Sequence, residues 1–203
     1  MNQAEKLWVE NTPEAREFHL SKKDEKVVWQ EFLDGDPTAI SYIYRNYTRS
    51  LYNYGRQYNK HEIVLDCIQD LFYDLIRMRK NLKTVTSLKA YLFASLRRKI
   101  FRQAQKTKNE IDQSLVEESS SFRIAELADN SPIKAQLEQE NKNIIKEACN
   151  KLPARQREII LLYFFEEMSY QDISQVMNFG DVTSARTLVH RAITSLRKKL
   201  ADY

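Results

Sequence analysis

Residues 169–200 read SYQDISQVMNFGDVTSARTLVHRAITSLRKKL, and this stretch decides the fold. Ser169-Tyr170-Gln171-Asp172 resembles a capping box, in which a hydroxyl and an acid three residues apart satisfy each other's backbone amides. It opens a short helix with Ile173, Val176 and Met177 on its apolar side. Asn178-Phe179-Gly180 breaks that helix, and Asp181 can cap the next one. There Val182, Ala185, Val189, Ala192, Ile193, Leu196 and Leu200 hold the apolar side. A short capped helix, a tight turn containing Gly and a longer basic helix form a helix-turn-helix pattern. Thr183, Arg186, Thr187, His190, Thr194 and Arg197 lie opposite the apolar side. Hydroxyls and guanidiniums there suit phosphates and base edges, and a solvated helix face explains the same periodicity.

Upstream, Leu137, Ile144, Ile145, Ala148 and Leu152 mark one helix, and Pro153 opens another with Ile159, Ile160, Leu162, Tyr163 and Phe164. Residues 108–132 carry a serine run, Ser119-Ser120-Ser121, and no clear period, so they read as a flexible linker. Before it come four further helices. The first holds Val27, Val28, Trp29, Phe32 and Leu33 and stops near Gly35. Asp36-Pro37 starts the second, with Ile40, Ile43, Tyr44, Tyr47, Leu51, Tyr54 and Tyr58 as its stripe. The third, about 61–80, has Val64, Cys67, Ile68, Leu71, Phe72, Leu75 and Ile76 on one face. Ser87 caps the fourth after a loop at 81–86, with Leu88, Tyr91, Leu92, Ser95 and Leu96 inward. The expected fold class is all-α: two small helical domains, 24–107 and 133–203, joined by the linker, with an extension at 1–23. A helix start at Thr12-Pro13-Glu14 lies in that extension, to which no function is assigned.

Composition agrees, since three Gly and four Pro in 203 residues are too few for the turns of an all-β chain. The net charge of +4 permits a nucleic-acid partner without demanding one, and its distribution says more. Every charge from Arg77 to Lys108 is positive, including Arg79, Lys80, Lys83, Lys89, Arg97, Arg98, Lys99, Arg102 and Lys106. Glu110, Asp112, Glu117, Glu118, Glu126 and Asp129 then stand against a lone Arg123, and 182–200 is basic again. The first basic run is interleaved with Tyr91, Phe93 and Phe101, a combination suited to unpaired bases and their phosphates. Tyr91 is placed in the core, and the pattern does not decide which of Phe93 and Phe101 is exposed. Asp66, Gln69, Asp70, Tyr73 and Arg77 share a helix face away from the core, which by itself names no partner.

Several classes fall away. His19, His61 and His190 are far apart, and neither a Gly-rich phosphate loop nor a nucleophile or metal-ligand spacing occurs, so neither catalysis nor a cofactor is expected. Cys67 and Cys149 sit in apolar patterns and read as buried reduced thiols. No apolar run approaches the ~20 residues of a membrane span, and the polar N-terminus has no signal-peptide core, so a soluble, cytoplasmic protein without membrane insertion is expected. An autonomous helix-turn-helix regulator and a two-domain transcription factor both remain open from the residues alone.

Two stretches resemble the extracytoplasmic-function (ECF) sigma factors of bacterial RNA polymerase, in the sigma-70 family. Leu65-Asp66-Cys67-Ile68-Gln69-Asp70-Leu71-Phe72-Tyr73-Asp74-Leu75 is similar to region 2.2. Leu152-Pro153-Ala154-Arg155-Gln156-Arg157-Glu158-Ile159, the 169–174 stretch and Ser184-Ala185-Arg186-Thr187-Leu188-Val189-His190-Arg191-Ala192-Ile193 are similar to regions 4.1 and 4.2, the last to the variant of Bacteroidetes members. With Asp34-Gly35-Asp36 and Tyr91-Leu92-Phe93, the ordered set spans most of 27–200.

The resemblance implies a factor that binds core RNA polymerase and directs promoter-specific transcription initiation. Asp66, Gln69, Asp70, Tyr73 and Arg77 would bind the β′ clamp helices. Lys80, Asn81, Lys83, Lys89, Arg97, Arg98 and Arg102 would contact promoter DNA at the -10 element, with a base flipped into a pocket at the 79–86 loop. Thr183, Arg186, Thr187, His190 and Arg191 would read the -35 element, and an apolar groove of the second domain would take the β-flap tip. The acidic linker would pass near the polymerase active centre, and the family often has an anti-sigma partner. Arg98 departs from the pattern, because many members carry Asn there, and the extension at 1–23 is longer than usual.

Overall fold

The computed structural model describes residues 24–109 and 135–201, with side chains described over 24–105 and 143–201. The extension at 1–23 and nearly all of the expected linker lie outside the described residues. What is described is all-helical: an N-terminal bundle and a C-terminal helix-turn-helix unit.

The bundle is built from α1 (Glu25–Asp34), α2 (Pro37–Gly55), α3 (His61–Met78), a 3-10 turn (Arg79–Asn81) and α4 (Leu88–Asn109). Its helix ends are set locally. Gly35 adopts φ 100°, and its amide donates to Glu31 O and Phe32 O, both at 3.1 Å, closing α1. The Asp36 carboxylate then accepts from the Thr38 amide at 2.8 Å and starts α2, with Pro37 in the first turn where a missing N–H costs nothing. Gly55 is needed for space: a Cβ there would meet Val64 Cγ1 at 2.5 Å, so α2 and α3 cross closely at that point. Ser87 caps α4 as expected, its hydroxyl accepting from the Ala90 amide at 3.1 Å.

Apolar burial on α3 follows the expected stripe as far as Leu75, but Ile76 is 59 % exposed, and Tyr44 on α2 is also exposed. The stripe is wider than the two helices that cover it, so Ile76 falls beyond their edge. On α4 the departure runs the other way. Leu88, Leu92 and Leu96 are buried as expected, and so are Ala90, Phe93, Ala94 and Ile100. Tyr91 is half-buried against Trp29, with ring centroids 5.4 Å apart, and Ser95 is half-buried. A helix with more than one buried face must be covered from more than one side.

The second cover is the C-terminal unit: α5 (Ala135–Asn150), α6 (Ala154–Ile160), a wide π-type turn (Leu161–Phe165), α7 (Tyr170–Val176) and α8 (Val182–Leu200). The single helix expected over 153–164 is thus interrupted, and the wide turn leaves Phe164 and Phe165 exposed. Buried Arg157 donates to the carbonyls of Asn150 and Leu152, holding the end of α5 against α6. Ser169 and Asp172 form the capping box of α7, and the Asp181 carboxylate accepts from the Ser184 amide at 2.7 Å to start α8. Within the turn the left-handed residue is Asn178, φ 54°, and not Gly180. Asn tolerates that conformation, and the Phe179 amide closes onto Ser174 O at 2.9 Å. Helix α7 packs along α4, and one apolar cluster runs through both units, from Val28 to Ala192.

Candidate nucleic-acid interface

Helix α8 turns Ala185, Val189 and Ala192 into the unit and leaves Thr183, Arg186, Thr187, His190 and Arg191 exposed together on its outer side. All five residues expected at this site share that face. Side chains at its start line a shallow depression with Asp181, Ser184 and Leu188. Hydrogen bonds from Ser184, its backbone amide first, hold the Asp181 carboxyl below the usual carboxylate range. The Arg186 guanidinium lies 5.4 Å over the Tyr170 ring, which stacks on Tyr163 at 5.4 Å, so the cation is steered by α7 while staying open to solvent.

On α3, Asp66, Gln69, Asp70, Tyr73 and Arg77 are exposed along one stripe, with Tyr73 63 % accessible. Arg77 pairs with Asp74 at 3.0 Å and lies over Tyr73. Asp74 also accepts from Lys99 Nζ at 2.6 Å, and that bond is the first cause of its lowered pKa. Beside this stripe Ile76 and Met78 add exposed apolar surface, which makes the face amphipathic and suited to a protein partner.

The residues expected at the -10 element divide into two sets. Lys80, Asn81, Lys83, Arg98 and Arg102 are exposed. The turn and loop that carry the first three are fixed to the bundle, because Trp29 Nε1 donates to Lys83 O at 3.0 Å. A cleft between this segment and α4 is lined by Asp74, Met78, Leu82, Tyr91, Arg98 and Arg102. Lys89 and Arg97 are not part of that open surface. Arg97 Nε donates to Glu158 Oε1 of α6 at 2.9 Å, and Lys89 Nζ pairs with Glu166 Oε2 at 2.9 Å and bonds the Glu166 carbonyl. Phe93 lies buried between them on the same stripe of α4, and half-buried Phe101 lies 4.4 Å under the Arg97 guanidinium.

Glu158 is the residue that sequence reasoning missed. Its side chain is 3 % exposed and accepts from both Arg97 and the Tyr54 hydroxyl, the latter at 2.7 Å. Burial first, and then the Glu158 charge, raise the Tyr54 pKa well above its ordinary value. Burial works against the charge on Arg97, and the Glu158 carboxylate more than offsets it. The only sequence signal was Glu158 itself, a charge directly before the apolar run Ile159-Ile160-Leu161-Leu162.

Elsewhere, Cys67 and Cys149 are free and buried, and burial pushes the Cys149 thiol up to about 11. Among the described residues no cluster of three or more His, Cys, Asp or Glu could hold a metal ion, and no helix is long and apolar enough to cross a membrane.

Residues 142–196 match the family model of sigma-70, region 4. The region 4 match thus takes in the end of α5, the helix-turn-helix and the whole outer face of α8 down to Leu196. A curated relative, the ECF RNA polymerase sigma factor SigW of Bacillus subtilis (strain 168), is 35% identical over 63 residues, 31% of this chain and 33% of the relative. The matched stretch therefore spans about a third of that relative's length. Two solved structures share the fold. CnrH in complex with the cytosolic domain of CnrY superposes with a TM-score of 0.58 at 15% identity, covering 88% of this chain and 97% of that one. The sigma factor RpoE in complex with the anti-sigma factor NepR from Bartonella quintana gives 0.56 at 23%, covering 79% and 96%.

Proposed function

We propose that the chain is a sigma factor of the ECF group, which binds core RNA polymerase and directs promoter-specific transcription initiation in the cytoplasm. The observation that carries this reading is the sigma-70 region 4 match over 142–196, coincident with the exposed polar face of α8. The likeness of the fold to CnrH and RpoE over most of the chain supports it. In this reading the amphipathic stripe Asp66, Gln69, Asp70, Tyr73 and Arg77 docks on the β′ clamp helices. Thr183, Arg186, Thr187, His190 and Arg191 read the -35 element from the major groove, where an Arg fork can bond guanine and hydroxyls can reach either base edge. Exposed Phe164 and Phe165 offer apolar surface to the β-flap tip.

Lys80, Asn81, Lys83, Arg98 and Arg102 hold the displaced strand at the -10 element, and the cleft beside Tyr91 receives an unstacked base. Lys89 and Arg97 join them once the C-terminal unit has moved away. The role is placement of polymerase on DNA. An anti-sigma partner belongs to the same proposal, supported by the complexes in which CnrH and RpoE were solved. The finer likeness of 184–193 to the Bacteroidetes variant rests on sequence alone.

Co-purification with core RNA polymerase, followed by run-off transcription on genomic fragments, tests the proposal. Wild type should co-purify and yield promoter-specific transcripts, and Asp66→Ala/Gln69→Ala/Asp70→Ala should lose both. A folded wild-type chain that fails to bind core enzyme would sink the reading and leave an autonomous helix-turn-helix regulator.

A further inference from the structure

The C-terminal unit does more than pack against the bundle. It brings Glu158, within α6, and Glu166, just past the wide turn, onto Arg97 and Lys89, two turns apart on one stripe of α4. Between these ion pairs Phe93 is buried, and beyond them Gln175 Nε2 donates to Thr86 Oγ1 at 3.2 Å, touching the end of the loop assigned to the displaced strand. Tyr54 on α2 adds a further bond, its hydroxyl donating to Glu158. The contact therefore uses carboxylates on cations, where a nucleic acid would use phosphate oxygens on the same cations.

We propose that the C-terminal unit is an internal competitor for single-stranded nucleic acid: in the closed chain Glu158 and Glu166 occupy Arg97 and Lys89 and cover the face of α4 between them. This rests on the assignment of α4 to DNA made above. Competition follows from chemistry and space together. A phosphate has little room at Arg97 while a buried carboxylate holds its Nε and only 16% of the side chain is exposed, and a base cannot stack near Phe93 while α7 lies on that side of α4.

Drawing the two ion pairs out of water costs about what their mutual attraction returns, so they set the register of a contact whose strength comes from the apolar cluster shared by the two units. Opening returns all four groups to water. Closure also leaves the face of α8 free, since Thr183, Arg186, Thr187, His190 and Arg191 are exposed in the closed chain. The two nucleic-acid surfaces are thus gated unequally: duplex contacts by α8 are available in both states, and single-strand contacts by α4 in the open state alone.

The experiment pairs small-angle scattering with fluorescence anisotropy on the full chain, using a labelled thymidine-rich single strand and a labelled duplex as probes. Glu158→Gln/Glu166→Gln keeps the side-chain shapes and removes the charges, and Tyr54→Phe removes the hydroxyl bonded to Glu158 and Tyr58 with no change of charge. If about nine chains in ten are closed, full opening strengthens apparent single-strand affinity by about tenfold. The double variant should show a larger radius of gyration and a gain of that order, with a smaller gain in Tyr54→Phe and little change on duplex. A Thr86→Cys/Gln175→Cys chain bridged by a short bis-maleimide should lose single-strand binding relative to the same chain singly capped, and keep duplex binding.

Tighter single-strand binding with an unchanged radius would overturn the proposal, because the carboxylates would then act by repulsion alone. An increased radius with unchanged affinity would equally overturn it, because α4 would be uncovered and still not used. An unchanged radius and affinity in every variant would show that these bonds do not hold the closed state. Failure of the transcription reading registers separately, as loss of core-polymerase co-purification by wild type.

Discussion

Helices α4 and α8 look alike in sequence and differ in what they offer. Both carry clustered Lys and Arg with almost no acid, and both have an apolar stripe at helical spacing. In the folded chain, Arg186 and Arg191 of α8 stand in solvent, whereas Arg97 of α4 retains 16% of its side-chain exposure and Lys89 27%. Helix α8 lies at the edge of its unit and needs one covered face. Helix α4 lies between the bundle and the C-terminal unit and is covered from both. Positive charge on a helix thus reports a capacity to bind phosphate, and the packing around it decides whether that capacity is free.

This comparison can be broken most forcefully at the centre of α4. Phe93→Ala removes a ring with 0% exposure that packs 5.1 Å from Tyr54, and should cost about 3–5 kcal/mol of stability in denaturant unfolding. A loss under ~1 kcal/mol would mean that the C-terminal unit does not seal this position. Next comes a matched pair of arginines. Arg97→Ala strands buried Glu158 and should cost about 3 kcal/mol, near the low end for breaking a buried pair because parting of the units rehydrates the acid.

Arg186→Ala, on the exposed face, should leave stability within ~0.5 kcal/mol. If it contacts a base, the same variant relaxes -35 selection by ~1–3 kcal/mol in transcription from promoter variants, with core binding unaltered. Equal loss at every sequence would demote Arg186 to a phosphate contact.

The smallest effect lies at the start of α8. The Asp181 carboxyl is lowered below its unfolded value by the Ser184 amide, so its contribution is complete above about pH 4 and is lost as pH falls through the lower folded value. Hydrogen exchange of the Thr183 and Ser184 amides should therefore speed up on acidification, after correction for intrinsic rates. Asp181→Asn should abolish that pH dependence while keeping a capping side chain.

Much of this was legible without coordinates. The residues 169–200 encode their own helix starts through Ser169, Asp172 and Asp181, and their own exposed face through spacing, because each signal acts within four residues along the chain. For the same reason Asp66, Gln69, Asp70, Tyr73 and Arg77 could be placed together on α3. The break at Asn178-Phe179-Gly180 was legible, and which residue takes the left-handed conformation was not, since both Asn178 and Gly180 can adopt it and the fold uses Asn178. Ile76 was misjudged because periodicity gives the direction of an apolar stripe and not the width of the surface that covers it.

What the sequence by itself determined was the helices, their caps and the polar faces of α3 and α8, all products of hydrogen bonds and side-chain spacing within one or two turns. Only the tertiary structure decided that α4 has two covered sides, that Arg97 meets Glu158 across 61 positions, and that Lys89 meets Glu166 across 77. Charge pairs at such separations have no local signature. They form because apolar burial brings α4, α6 and α7 together, and a buried cation and anion then find each other where water is excluded.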